Sequence, residues 1–157
     1  MKTLVVYYSK TGNTRRLAEE IAKELCCDID EIQDKEYRSG VIGWFSGSRD
    51  AFRKFLTDIE FKIDPGEYDL VIIGTPIWAF GVTPAIRTYF TRNIEKLNNV
   101  AFFLTCGGMG IEGALKDMEN LSKPPVATLE LHDRGIRANI DIERNIDKIK
   151  EFCNMLR

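Results

Sequence analysis

The chain has 157 residues. A compact domain of this length buries roughly 68 to 70% of its unfolded-chain surface, so we expect one core in a single domain spanning 1–157. A hydrophobic content of 44%, with only twelve glycines and five prolines, excludes disordered and fibrous proteins. The 22 basic and 24 acidic side chains give a net charge of −2, which supplies no positive field for a nucleic-acid backbone, so no nucleic-acid partner is expected.

The amino-terminal segment and the cysteines favour a cytoplasmic protein. Ser9 and Lys10 interrupt the first apolar run, which is therefore too short for a signal-peptide core or a membrane span. We expect no contact with a membrane. No C-x-x-C pair occurs and His132 is the one histidine, so no metal site is predicted. The adjacent Cys26 and Cys27 could bond to each other only with strain, so reduced thiols are expected.

The first three elements follow from the pattern of apolar residues. Thr3 to Tyr8 is a continuous apolar run, typical of a strand covered on both faces, and predicts a central first strand. From Leu17 to Leu25 the apolar residues recur every three or four positions, which predicts an amphipathic helix packed on the sheet. Cys27 to Gln33 alternates apolar and acidic residues and predicts a short strand at a sheet edge.

Three further strand and helix pairs follow along the chain. The predicted pairs are Asp69 to Gly74 with Pro84 to Leu97, Asn99 to Thr105 with Glu112 to Leu121, and Val126 to Leu131 with Ile140 to Leu156. Repeated units of this kind, joined by right-handed crossovers, predict an α/β fold with a five-stranded parallel sheet between two helical layers. The segment Tyr37 to Asp58 is longer than a crossover needs, and we expect it to make an excursion over the sheet edge.

A polar turn, Ser9 to Thr14, joins the first strand to the first helix. The backbone N–H groups at a helix N-terminus lack partners and favour an anion such as phosphate. Three hydroxyl side chains add donors, and Gly12 permits the positive φ that a backbone nest requires. The alternative is a helix cap without a ligand. The density of hydroxyls beside a glycine favours the phosphate site.

Three segments resemble the flavodoxin family. YYSKTGNTRRLAEEIA (7–22) resembles the phosphate loop and first helix of flavodoxins, while GTPIWAFGVTPAIRTYF (74–90) and FLTCGGMGIEGAL (103–115) resemble the second and third flavin loops. The resemblance implies a flavodoxin-like, doubly wound three-layer sandwich of strand order 2-1-3-4-5. It also implies flavin mononucleotide (FMN) held non-covalently where the strand order reverses, between the first and third strands.

The resemblance also implies which residues contact the cofactor. They lie in three loops that follow predicted strands: Ser9, Lys10, Thr11, Gly12, Asn13 and Thr14; Thr75, Pro76, Ile77, Trp78, Ala79 and Phe80; Thr105, Cys106, Gly107, Gly108, Met109 and Gly110. Independently of the family, the flat isoalloxazine ring needs an aromatic or apolar platform, and Trp78 is the candidate for stacking on it. Ordinary packing of a partly buried tryptophan is the alternative.

A second glycine motif competes with this interpretation. Gly108 to Gly113 fits G-x-G-x-x-G, follows a predicted strand and is followed by Glu130 near the end of the next strand. Too little chain remains after it to complete a dinucleotide-binding sheet, and Ser9 to Thr14 would stay unexplained. We therefore expect this motif to be a loop beside the flavin ring. Cys106, in the third flavin loop, is expected to be a small apolar filler, and His132, after the fifth predicted strand, a surface or capping imidazole.

The resemblance implies one-electron transfer through FMN to a redox partner protein or a small electron acceptor. Apolar stacking and nearby negative charge would then disfavour the anionic reduced flavin. The chain departs from the family in two ways: Met109 stands where better-known flavodoxins place a tyrosine over the ring, and the net charge is only −2. An FMN-dependent NAD(P)H or quinone reductase of the same fold is the enzyme alternative. A non-catalytic flavin-binding module is the third.

Overall fold

The computed structural model describes residues 1–35, 55–78, 81–132 and 139–157. All but the last four residues of the predicted excursion, Tyr37 to Asp58, lie outside these ranges. The described strands are β1 (Thr3–Tyr7), β2 (Asp28–Glu31), β3 (Gln33–Asp34), β4 (Ile59–Glu60), β5 (Leu70–Trp78), β6 (Gly81–Val82), β7 (Asn99–Cys106) and β8 (Thr128–His132). The described helices are α1 (Asn13–Leu25), α2 (Pro84–Asn93), α3 (Ile111–Leu121) and α4 (Ile146–Met155).

Five parallel strands form the central sheet in the order β2-β1-β5-β7-β8. When only these five parallel strands are numbered in chain order, the order in the sheet is 2-1-3-4-5. The predicted flavodoxin-like α/β topology is therefore confirmed. β1 pairs on one side with β2 and on the other with β5, which places Val5 opposite both Ile29 and Ile72. The predicted central first strand and edge second strand are both confirmed.

Helices cover both faces of this sheet, which explains the unbroken apolar sequence of β1. Leu4 and Val6 point to the face packed by α2 and α3, whereas Val5 points to the face packed by α1 and α4. All three side chains are fully buried because successive residues of a strand point to opposite faces. Among the described residues, no helix combines the length and the apolar character that crossing a membrane requires.

The largest departure from the predicted elements concerns β5. This strand was expected to end at Gly74 but continues to Trp78, because β7 pairs with it as far as Pro76 and β6 then turns back on it as a hairpin. Residues 75–78, predicted to be a loop, are therefore held by strand pairing. Hairpin pairing depends on contacts across the sheet, which the spacing of apolar residues does not report.

Two helices are also shorter than expected. α2 ends at Asn93 and passes into a 3₁₀ turn at Ile94–Lys96, and α4 begins at Ile146 after a 3₁₀ turn at Glu143–Asn145. Amphipathic spacing alone does not separate an α-helix from a 3₁₀ turn at its end, because both place residues three apart on one face.

A short antiparallel ribbon of β3 and β4 was not predicted. Asp34 pairs with Ile59 in this ribbon, and the Asp34 carboxylate accepts a hydrogen bond from the Thr57 hydroxyl at 2.7 Å. Asp30, at the edge strand, accepts hydrogen bonds from the backbone N–H groups of Lys62 and Ile63 at 2.6 and 2.8 Å. These buried carboxylates attach the segment preceding β5 to the edge of the sheet.

Candidate functional site

The three loops predicted to bind the cofactor meet at the carboxyl edge of the sheet. Their residues lie at the carboxyl ends of β1, β5 and β7 or directly after them, and these three strands are consecutive in the sheet. The Tyr8 backbone N–H donates to the Gly74 carbonyl at 3.1 Å, and the Tyr8 and Trp78 rings pack edge to face with centroids 5.8 Å apart. Open α/β sheets hold their ligands at this edge, beside the point where the strand order reverses.

The first loop is a compact turn built around Ser9 and Gly12. Gly12 has a φ of 94°, so the predicted positive φ is confirmed, and a side chain at this position would meet no atom within 4 Å. The Ser9 hydroxyl accepts hydrogen bonds from the backbone N–H groups of Gly12 and Arg15, both at 3.2 Å. Ser9 thus takes the place of a side-chain cap at the N-terminus of α1.

Arg15 ties the first turn of α1 to the edge strand. Its guanidinium lies 2.6 Å from the Glu31 carboxylate at the end of β2. The pKa of the Arg15 guanidinium is raised, mainly by its hydrogen bond to Glu31 and next by a hydrogen bond to Tyr7. The pKa of the Tyr7 phenol is also raised, mainly because of its burial. The Arg15 guanidinium therefore forms an ion pair with Glu31.

Two side chains of the first loop connect it to distant parts of the chain. The Asn13 side-chain oxygen accepts a hydrogen bond from the Ile140 backbone N–H at 3.0 Å. The Thr14 hydroxyl lies 2.9 Å from the Thr105 hydroxyl at the end of β7. Asn13, Thr14 and Thr105 are all buried. These three predicted contact residues hold the loops in place, whereas Lys10 and Thr11 of the same loop are exposed.

The second loop presents Trp78 at the end of β5. Thr75 is fully buried, and its hydroxyl donates to the Pro76 carbonyl at 2.9 Å. Trp78 is partly buried, and the Lys10 Nζ lies over its ring, 4.9 Å from the ring centroid. The first and second loops are thus joined through a cation–π contact. The predicted contact residues Ala79 and Phe80 lie outside the described residues.

In the third loop residues 107–109 are exposed, and the shape of the loop depends on glycine. Gly108 and Gly110 have φ values of 129° and 92°, and Met109 between them is 74% exposed. α3 begins directly after Gly110 and contains Gly113, the last glycine of the G-x-G-x-x-G motif. Side chains other than glycine rarely adopt such φ values, so two of the motif's glycines serve the turn between β7 and α3.

One contact at this edge was not predicted. Cys106 ends β7 and His132 ends β8, and the parallel register places them opposite each other. Their Sγ and Nδ1 atoms are 3.4 Å apart, with Cys106 buried and His132 exposed. Cys106 is therefore more than the apolar filler that was expected. The signal available in the sequence was that each residue directly follows a predicted strand, but only the register shows that the two strands are neighbours.

Comparison with known proteins identifies relatives of this chain. A family model described as flavodoxin matches residues 2–143. A protein of Archaeoglobus fulgidus, described as uncharacterized, is 30% identical over 104 residues, which are 65% of this chain and 64% of that protein. The match therefore spans less than two thirds of this curated relative.

Solved structures with the same fold include a flavoprotein from Lactobacillus acidophilus crystallised in complex with FMN. It is 24% identical, with 94% of this chain and 97% of that chain covered and a TM-score of 0.68. A flavodoxin, WrbA-like protein from Agrobacterium tumefaciens is 15% identical, with 98% and 95% covered and a TM-score of 0.62. Flavodoxin 1 from Bacillus cereus is 16% identical, with 99% and 96% covered and a TM-score of 0.58. At these identities the likeness shows the fold.

Proposed function

Because this chain belongs to the flavodoxin family, we propose that it binds FMN at the three loops and acts as an electron-transfer protein. The observation that carries the proposal is the junction of the first two loops. There Lys10, from a turn at a helix N-terminus, lies 4.9 Å from the ring centroid of Trp78. An anion site and an aromatic platform are thus adjacent, which is the combination that a phosphorylated flavin requires.

The first loop fits a phosphate group. The N-terminus of α1 carries the positive end of the helix dipole, and the left-handed Gly12 leaves open space beside it. The exposed Thr11 hydroxyl and the half-buried Ser9 hydroxyl are suited to bind phosphate oxygens. These groups hold a phosphate through hydrogen bonds, and Lys10 adds a positive charge.

The second and third loops fit the flat ring of the cofactor. The hairpin of β5 and β6 holds Trp78 at the sheet edge, and Tyr8 packs against its ring. Met109, in the third loop, offers a flexible apolar side chain. Bound FMN supplies the electron-accepting and electron-donating chemistry, while these side chains orient the ring and exclude water from its face.

Met109 favours a second candidate function. Its side chain is 74% exposed, and the third loop from Thr105 to Gly110 contains no aromatic residue to cover the ring. A ring with one open face admits a hydride donor or a quinone, so an FMN-dependent NAD(P)H or quinone reductase is the alternative to the carrier. The two functions differ in what reduces the flavin.

Titration with FMN and with riboflavin tests the proposed cofactor. We expect the protein to bind FMN at least a hundredfold more tightly, because riboflavin lacks the phosphate. Thr11→Val should weaken FMN binding by roughly tenfold to a hundredfold, the equivalent of about 1.5 to 3 kcal/mol for a hydrogen bond to a charged group. Its riboflavin affinity should not change. Equal affinity of the parent protein for the two flavins would refute the phosphate site.

Thr91→Val is the matched control for this titration. Thr91 is an exposed threonine of α2, and its hydroxyl donates to the Arg87 carbonyl within the helix, 2.9 Å away. This variant should keep the parent's affinity for both flavins. Stopped-flow mixing with NADPH and NADH then separates the two functions. Slow bleaching of the flavin by both nucleotides supports the carrier, whereas bleaching within seconds supports the reductase.

A further inference from the structure

The three loops contain a single charged side chain. Among all the residues of the predicted site, in the segments 9–14, 75–80 and 105–110, Lys10 is the one charged residue and no Asp or Glu occurs. The nearby negative charge that would disfavour the anionic reduced flavin is therefore not supplied by these loops. Their formal charge is positive.

The structure places that one charge at the aromatic platform. Lys10 leaves the turn between β1 and α1 with an exposed side chain, yet its Nζ lies 4.9 Å from the ring centroid of Trp78. Tyr8 packs edge to face on the same indole, with centroids 5.8 Å apart. A cation over an aromatic face is attracted by the negative charge density of that face, which favours the ammonium near the Trp78 ring.

We propose that the positive charge of Lys10 strengthens the binding of reduced FMN relative to oxidised FMN. Lys10 therefore raises the reduction potential of the bound flavin above the value it would have with an uncharged side chain at this position. This inference rests on the proposed function, because it places the flavin ring against Trp78. Reduction transfers two electrons from an external reductant and one proton from solvent to the ring, which leaves the reduced ring with one negative charge. A positive charge a few ångströms from Trp78 favours this anion over the neutral oxidised ring.

A different role for Lys10 predicts a different result. If its ammonium served only to hold the phosphate, its removal would weaken binding of oxidised and reduced FMN equally, because the phosphate carries the same charge in both. Only a charge that acts on the ring changes the ratio of the two affinities. That ratio, rather than the affinity itself, is therefore the quantity to measure.

Lys10→Gln removes the charge and keeps a polar side chain of similar reach, while Lys10→Arg keeps the charge. Lys23→Gln is the matched control, since Lys23 is an exposed lysine in the last turn of α1 that pairs with Glu20 at 3.4 Å. All three change only exposed side chains, so we expect them to fold as the parent does. The FMN affinity is measured by fluorescence for the oxidised protein, and the two-electron potential by equilibration with dithionite and a reference dye.

We expect Lys10→Gln to lower the ratio of reduced to oxidised affinity by about tenfold, which corresponds to a fall of about 30 mV for a two-electron couple. Lys10→Arg and Lys23→Gln should keep the parent's potential. Raising the salt concentration to 1 M should reduce the difference in potential between the parent and Lys10→Gln, because salt screens the exposed Lys10 ammonium of the parent.

Two results would overturn the inference while leaving the proposed function intact. One is a Lys10→Gln variant that keeps both the parent's FMN affinity and the parent's reduction potential. The other is an equal loss of affinity for both redox forms, which would assign Lys10 to the phosphate. A parent protein that binds no FMN would instead refute the proposed function, and the role of Lys10 with it.

Discussion

The hydroxyl oxygens of Thr14 and Thr105 lie 2.9 Å apart and are buried beneath the loops of the site. Thr14 belongs to the first turn of α1 and Thr105 to β7, two strands away from β1 in the sheet. Their hydrogen bond therefore spans β5, the strand between β1 and β7, and connects the first loop directly to the third. Either hydroxyl can donate, and the other accepts.

Replacing both of these threonines should destabilise the protein less than the two single replacements added together. Thr14→Val or Thr105→Val leaves the remaining buried hydroxyl without its partner, at a cost of about 1 to 3 kcal/mol. The double variant leaves no unpaired hydroxyl and should be less unstable than the sum of the single changes. Urea unfolding of the flavin-free proteins measures the coupling, for which we expect at least about 0.5 kcal/mol. Strictly additive losses would show that the two hydroxyls do not interact.

Gly74 should not tolerate any side chain. A Cβ at this position would lie 1.9 Å from the Cζ of Phe103, whose ring is fully buried and packs over Gly74 across the β5 and β7 pair. We expect Gly74→Ala to lower the free energy of unfolding by about 3 kcal/mol or more, because neither strand can move aside. Adding Phe103→Leu should recover part of this loss.

Gly108→Ala provides the contrast to Gly74→Ala. Gly108 has open space around it but a φ of 129°, so alanine there meets backbone strain and no clash. A cost of about 1 to 3 kcal/mol is expected for such a conformation, and Phe103→Leu should not relieve it. If Phe103→Leu rescued Gly108→Ala as well as Gly74→Ala, the proposed clash would be wrong. The measurement is thermal unfolding of Gly74→Ala and Gly108→Ala, each with and without Phe103→Leu.

Trp78→Ala should weaken FMN binding and restore flavin fluorescence. Stacking of an aromatic side chain on a flat heterocycle contributes about 1 to 3 kcal/mol, by analogy with nucleobases. A nearby indole also quenches an excited flavin by donating an electron. The control is Trp44→Phe at the chain's other tryptophan, which lies outside the described residues and in none of the three loops. Were Trp44→Phe to change emission and affinity while Trp78→Ala did not, Trp78 would be excluded as the stacking residue.

Tyr68 should make stability depend on pH in alkaline solution. Its phenol donates a hydrogen bond to the Asp28 carboxylate at 2.7 Å, and this bond is the main cause that raises the pKa of Tyr68 to about 12. In the unfolded chain a tyrosine titrates near pH 10. The stabilisation is therefore complete below about pH 10 and is lost as the pH rises towards 12, since the unfolded chain releases its proton first.

Tyr68→Phe isolates this contribution from the other groups that titrate in alkali. The variant keeps the ring and the contact of the Lys2 Nζ with it, 4.4 Å from the ring centroid, but loses the hydrogen bond. The difference in unfolding free energy between parent and variant should be constant from pH 7 to 9 and should shrink between pH 10 and 12. A difference that grew with pH would contradict the assigned hydrogen bond.

Much of the fold was predictable because the signals are local. The apolar run from Thr3 to Tyr8 indicated a strand covered on both faces, and the structure buries Leu4, Val5 and Val6 completely. The polar turn with Gly12 indicated a left-handed residue before α1, and the φ of 94° agrees. Each of these properties depends on residues that are neighbours in the chain.

The extension of β5 to Trp78 was missed because strand pairing is decided by the partner. Gly81 and Val82 pair with Trp78 and Ile77, and this hairpin turns a predicted loop into part of a strand. The short strand preceding β5 was missed for the same reason, since β4 exists only through its pairing with β3. Apolar spacing within one segment contains no information about these pairings.

The sequence by itself determined the α/β alternation, the three loops at strand ends and the residue types that suit a phosphorylated flavin. Only the tertiary structure decided that Lys10 lies over Trp78, that Cys106 faces His132 and that Thr14 meets Thr105. Secondary structure follows from periodicity and propensity over a few residues. These contacts join residues 26 to 91 positions apart, and such distances in the chain are bridged only by the register of the strands and the packing of helices on the sheet.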